Sequence, residues 1–228
     1  MATRTPDQPA LEPRGSFVRI AATVFAYATA MAYLEAAVVV YLQAVFGARA
    51  GEIFPLRPVE AAGDLIVIEV GREAATLVMI AAVGILVGRT AIERLAWAAV
   101  VFGTWDIAYY GWLYVFSGWP PSLATSDLLF LIPGPWVGPV WAPVVVSLAL
   151  VGFGLAAAFR ERRGRPILLR RWHVLAGLGG GLVVVASFLA DAPNVAAGGL
   201  PGGFPVAVFF VGLGVAVAAA IDALRPPG

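Results

Sequence analysis

The chain has 228 residues, 61% of them hydrophobic and 13% charged, with a mean hydropathy of +0.88, a balance from which no water-facing shell around a soluble core can be built. It holds no cysteine, which excludes disulfides, thiolate catalysis, iron–sulfur clusters and cysteine zinc sites. All fifteen basic residues are Arg and the formal net charge is +1, so the overall charge gives no reason to expect nucleic acid as a partner.

Residues 1–15 carry three Pro and charges of both signs and read as a disordered cytoplasmic tail. Residues 16–228 read as a single transmembrane helical domain, since about 20 apolar residues cross ~30 Å of hydrocarbon and six such runs fill the chain. Ser16 reads as the N-cap of span 1, about Phe17 to Phe46, which is too long for the apolar region of a signal peptide. Pro55 and Pro58 break the next connection and Asp64 can cap span 2, about Leu65 to Val87. Thr90-Ala91-Ile92-Glu93 is a capping-box pattern after a very short turn, so span 3, about Ala91 to Phe116, should form an antiparallel hairpin with span 2.

Ser117 to Gly138 is rich in Pro, Gly and Trp, and its apolar run Leu128 to Ile132 is too short to cross. It is expected to be interfacial or re-entrant and to lid the polar residues below it, with Asp127 as a fifth carboxylate or, preferably, as the N-cap of a short interfacial helix. Span 4 covers about Pro139 to Phe159, span 5 about Trp172 to Ala190 and span 6 about Phe204 to Leu224. The fold class is therefore all-α, a polytopic bundle of about six spans.

Six Arg residues (Arg160, Arg162, Arg163, Arg165, Arg170, Arg171) crowd the connection after span 4, while the connections after spans 3 and 5 hold none. The Arg-rich side should be cytoplasmic, which puts both termini in the cytoplasm and the protein in the plasma (cell inner) membrane. Arg49 and Arg57 are discordant but accompany Glu52 and Glu60. The Arg run reads as a topology determinant beside anionic headgroups rather than as a nucleic-acid patch.

Spans 1 to 3 contain Glu35, Glu69, Arg72, Glu73 and Asp106, and each ionisable group in hydrocarbon costs roughly 2.5 to 3.5 kcal/mol even on the gentlest insertion scale. The helical period puts Glu69, Arg72, Glu73 and Thr76 on one face, and counting from the helix ends brings Glu35, Glu69, Glu73 and Asp106 to a common outer depth. Tyr109 and Tyr110 lie within a turn of Asp106, close enough to hydrogen-bond it. Trp112, Trp119 and Trp136 fit an interfacial aromatic belt. Ala22, Ala26 and Ala30, and Gly177 and Gly181, have the four-residue spacing that lets helices approach closely.

Four carboxylates against one Arg require retained protons, a bound cation or water. Glu69 and Glu73, at i and i+4, can converge on a divalent ion with oxygen ligands, Mg²⁺, Ca²⁺ or Mn²⁺. The sole histidine, His173, lies beside the Arg-rich connection, so histidine heme ligation, Glu-x-x-His di-iron sites and Ser/His/Asp catalysis find no template. Three functional readings remain open. One is an outward-facing site for a cation or small polar solute, built on Glu35, Glu69, Arg72, Glu73, Asp106, Tyr109 and Tyr110; the second is an enzyme acting on a lipid-linked substrate; the third is a non-catalytic subunit of a complex. A partner membrane protein or a second copy of the chain is compatible with each, beside the bilayer itself. Against all three stands a purely structural role, in which Arg72 neutralises its neighbours and glues helices together.

Overall fold

Among the described residues, apolar runs separated by Gly, Pro and Arg fold as six long helices and one short one. The computed structural model describes residues 14–45 and 64–225, and within them the elements are α1 (Arg14–Val45), α2 (Asp64–Val87), α3 (Ala91–Ser117), β1 (Ser126–Leu128), β2 (Val137–Pro139), α4 (Trp141–Arg162), α5 (Arg171–Leu189), α6 (Ala192–Ala196) and α7 (Val206–Ala223). The protein is an all-α bundle with, among the described residues, one small hairpin. The proposed tail and the connection holding Arg49, Glu52, Arg57 and Glu60 lie outside the described residues.

Five helices (α1, α2, α4, α5 and α7) are long and apolar enough to cross a membrane. The sixth long helix, α3, has 27 residues, about 40 Å at ~1.5 Å per residue, but carries Glu93, Arg94 and Asp106. Its position resolves the difficulty, because α1, α2 and α4 all pack on it. The helix least suited to face lipid is the one its neighbours surround, and their polar groups reach its own.

Close approach in this core depends on glycine. A Cβ on Gly103 of α3 would lie 2.5 Å from the Ser147 carbonyl of α4, and one on Gly154 of α4 would lie 2.7 Å from the Ala96 carbonyl of α3. The two glycines thus let each backbone touch the other. Gly103→Val is expected to cost at least the 1–3 kcal/mol typical of overpacking, because what it meets is rigid backbone; a denaturant titration against wild type measures it.

The small-residue pattern of α1 packs differently from the expectation. Ala22, Ala26 and Ala30 are exposed, while Val24, Ala28, Ala32 and Ala36 are buried to 2% or less, so the contact stripe on α3 is rotated by half a turn. On α5, a Cβ at Gly177 or Gly181 would meet nothing within 4 Å, whereas Gly180 and Gly212 face each other's backbone across α5 and α7. Nor does Ser16 cap α1, because the helix already begins at Arg14.

The turn between α2 and α3 follows the capping pattern. Thr90 accepts the Glu93 amide at 3.1 Å, but the Glu93 carboxylate reaches back to the Arg89 amide at 3.0 Å rather than to that of Thr90. At the far end of α3, Gly118 closes the helix with φ 71° and donates to Tyr114, a left-handed cap that glycine adopts without strain.

The segment between α3 and α4 folds as an antiparallel hairpin that pairs Ser126 with Pro139 and Leu128 with Val137. This corrects the expected interfacial helix: Asp127 is a strand residue opposite Gly138, not a helix N-cap. The β2 strand is buried throughout because Gly138 lets Phe188 of α5 lie against its backbone.

The tryptophans also differ from a lipid-facing belt. Trp119 is 5% exposed and packs 6.1 Å from Tyr110, and Trp136 stacks on Phe188 at 6.1 Å. They join the hairpin to the bundle, as the apolar run around Phe130 does by packing on Phe102 and Trp105.

Candidate functional site

Helix period alone puts Glu69, Arg72, Glu73 and Thr76 on one face of α2, and that face looks toward α1 and α3, where Glu73 and Thr76 are buried. From there the polar residues divide. Arg72 Nη1 contacts Glu35 of α1; its Nε donates to Glu69 at 3.0 Å and its Nη2 to the other Glu69 oxygen. Thr76 Oγ1 lies 3.5 Å from Glu35. One guanidinium is thereby shared by two carboxylates, for a formal charge of −1 in the triad.

The other acidic residues turn away from this triad. Both Glu73 oxygens accept the Leu131 amide at 3.0 Å, which ties the hairpin segment down onto α2. Asp106 accepts the Ser147 hydroxyl of α4 at 2.8 Å. Tyr110 donates to Asp127 at 2.9 Å, so its hydroxyl serves the hairpin instead of Asp106. The Tyr109 ring packs edge-on against Tyr110 at 5.2 Å. Asp127, 1% exposed, has its carboxyl pushed up to about 7 by burial, opposed by hydrogen bonds from Tyr110 and the Leu128 amide.

Glu69 and Glu73, named above as a divalent-ion pair, therefore point to Arg72 and to the hairpin backbone. Among the described residues no group of three His, Asp or Glu side chains is placed to hold a metal ion. His173 is likewise engaged: its Nδ1 accepts the Arg170 amide at 2.9 Å, which puts the ring proton on Nε2, 3.0 Å from Asp222.

Beside the triad lies a feature that residue types alone do not reveal. Although α1 and α2 both pack on α3, they barely touch one another, and between them runs a groove of about 940 Å³. Glu35 and Arg72 sit on its wall among Phe25, Met31, Met79 and Trp112, so the lining is almost wholly apolar. Trp112 is fixed there by donating to the Thr29 carbonyl at 3.0 Å and by edge contact with Tyr33 at 5.1 Å, a further departure from the belt reading. The opposed small residues Ala26, Ala30 and Ala75 leave the space open.

A second buried charge pair lies at the Arg-rich end. Glu93 and Arg162 make direct contact with side chains only 2% and 4% exposed. Glu93 also accepts Trp97 Nε1 at 3.1 Å, and Arg162 donates to the Val87 carbonyl at 2.9 Å, so α2, α3 and α4 meet in one network. Its sequence signal was the i, i+4 spacing of Glu93 and Trp97, which puts the carboxylate on the same face as a core aromatic.

Comparison with protein-family models, curated proteins and solved structures finds no match to this chain. Its function is therefore argued from the site.

Proposed function

We propose that this membrane protein binds a small amphiphilic cation, seating the apolar body in the α1–α2 groove and the positive head against Glu35 and Glu69. The observation that carries the reading is the coincidence of an apolar groove with Glu35 and Arg72 on its wall, where Arg72 is bonded in turn to Glu69 behind it, for a formal charge of −1 in the triad. Arg72 is engaged by both carboxylates, so an anion would meet a guanidinium already neutralised, whereas a cation finds acidic oxygens in surplus. Trp112 on the groove wall offers the electron-rich face that attracts a positive head. The pairing with Arg72 orients Glu35 and Glu69 before a ligand arrives, which lowers the ordering cost of binding.

The Arg distribution supports cytoplasmic termini and an outward-facing triad in a bacterial-type plasma membrane. The start of α1, the α2–α3 turn, the α4–α5 connection and the end of α7 share one end of the bundle: Arg162 reaches Val87 and Arg160 reaches Leu224. The triad lies toward the opposite end.

Equilibrium binding of tetraphenylphosphonium to the purified protein tests the reading. Glu35→Gln with Glu69→Gln turns the triad from −1 to +1 and is expected to weaken binding about tenfold or more, since like charge brought close costs several kcal/mol. Arg72→Gln turns it to −2 and should tighten binding. Equal affinity for a tetraphenylborate anion, or indifference to all three substitutions, sinks the proposal.

The groove between α1 and α2 also suits an enzyme of lipid-linked substrates, with Glu35 as a general acid on its wall. That reading requires turnover, and Glu35→Gln would abolish it while leaving binding of a neutral lipid analogue intact.

A further inference from the structure

Along the α1–α2 groove, charge and apolar surface are separated lengthwise. The charged lining residues, Glu35 and Arg72, sit toward one end, and from them the lining continues to Phe25 on α1 and Met79 on α2. At ~1.5 Å per residue this stretch runs about 15 Å along α1 and about 10 Å along α2. Small or apolar side chains wall it, Ala26, Ala30, Met31 and Ala75 among them, and the hydroxyl that α2 contributes, that of Thr76, is turned to Glu35. The stretch also has a floor. Val24 and Ile80, the residues next beyond Phe25 and Met79, are 2% and 6% exposed and belong to the packed core with Trp97 and Val101 of α3. Val24 divides the groove from a second cavity of about 660 Å³, whose wall carries Arg19, Arg89 and Arg162.

We infer that the cation taken by this groove is linear: a compact positive head on one alkyl chain, with the head at the Glu35–Arg72–Glu69 triad and the tail lying along α1 toward Met79. A track of about 10 to 15 Å accommodates about eight to twelve carbons, at ~1.2 Å per bond of an extended chain. The inference rests on the cation reading above and adds the shape of the apolar body. Alanines on both walls leave a narrow course between two helices, which a flexible chain can follow and a broad rigid body cannot. Each methylene moved from water onto these walls contributes about fourfold in affinity, until the chain end meets Val24 and Ile80.

Equilibrium dialysis of butyl-, octyl-, dodecyl- and hexadecyltrimethylammonium against the full chain in phosphatidylcholine nanodiscs, with empty nanodiscs subtracted, tests it. Affinity should climb about fourfold per methylene from butyl to octyl, peak between octyl and dodecyl, and gain nothing from dodecyl to hexadecyl. Ala30 lies about 7 Å below Glu35 on an exposed face, so Ala30→Phe puts a ring across the track. It should reduce affinity for dodecyltrimethylammonium about tenfold more than affinity for butyltrimethylammonium, and Ala75→Phe on the facing wall reads the same step if the first variant is not recovered. Glu35→Gln acts on the head and should weaken every member of the series alike. Affinity that climbs unbroken to hexadecyl, or falls equally for butyl and dodecyl in the alanine variants, overturns the inference and leaves the cation reading standing. Dodecyl sulfate held as tightly as dodecyltrimethylammonium, or binding of none of the series or of tetraphenylphosphonium, overturns both; tetraphenylphosphonium bound without any of the series overturns the inference alone.

Discussion

Glu93→Ala is expected to destabilise the folded protein by about 3–5 kcal/mol, the loss typical when one partner of a buried ion pair is removed. The magnitude follows from what remains: Arg162, its side chain 4% exposed, would keep its charge in the core without the carboxylate that faces it, and Trp97 Nε1 would lose its acceptor. Arg162→Met alone should cost a similar amount by stranding the Glu93 carboxylate. The double variant Glu93→Leu, Arg162→Met should recover most of the loss, because apolar side chains of similar volume replace a buried pair with little penalty. Equilibrium unfolding in mixed micelles, followed by tryptophan fluorescence, measures all three. A loss below about 1 kcal/mol in both single variants, the size of an exposed pair, would show that water reaches this network.

The second large effect concerns pH. Asp127 has an ordinary carboxyl pKa of 3.8 when the chain is unfolded and about 7 when folded, so between these values the native state holds a proton that the unfolded state has released. The contribution of Asp127 to stability is then greatest below pH ~4 and declines as pH rises through the window, levelling off above ~7, by about 4 kcal/mol in total at 1.36 kcal/mol per unit. Asp127→Asn keeps a partner for the Tyr110 hydroxyl but cannot ionise. It should flatten the profile over that window and be the more stable protein at pH 8. Unfolding midpoints of both proteins from pH 4 to 8 check this; parallel profiles would mean that the Asp127 carboxylate is solvated in the folded state. Because Asp127 anchors the hairpin to Tyr110, the same titration is expected to loosen the segment that Glu73 holds at Leu131.

Both effects arise from polar groups whose partners lie far away in the chain, and this marks the boundary of what the amino-acid order discloses. Glu93 is separated from Arg162 by 69 positions and Asp106 from Ser147 by 41. Local spacing assigns Glu93 to a capping box, of which the Thr90 half forms while the Glu93 carboxylate takes the Arg89 amide instead, and Arg162 to a topology signal. It had no means of showing that the two meet. Asp127 reads locally as the N-cap of a short interfacial helix, whereas Trp136, by exchanging hydrogen bonds with Leu129 and Phe130, extends a two-stranded ladder that no short window contains.

The sequence by itself determined the all-α membrane bundle, the helix limits to within a few residues, the α2–α3 hairpin, the gathering of Arg at one end, and the common face of Glu69, Arg72, Glu73 and Thr76. All of these depend on hydropathy and on the 3.6-residue period, which act within one helix. The tertiary structure alone decided which carboxylate meets which partner, and that α1 and α2 part to leave a groove. Those outcomes depend on how each helix is rotated about its axis. Backbone contacts at Gly103 and Gly154, and the buried face Val24, Ala28, Ala32 and Ala36 of α1, set that rotation, and a period shared by many faces of one helix cannot specify which of them will turn inward.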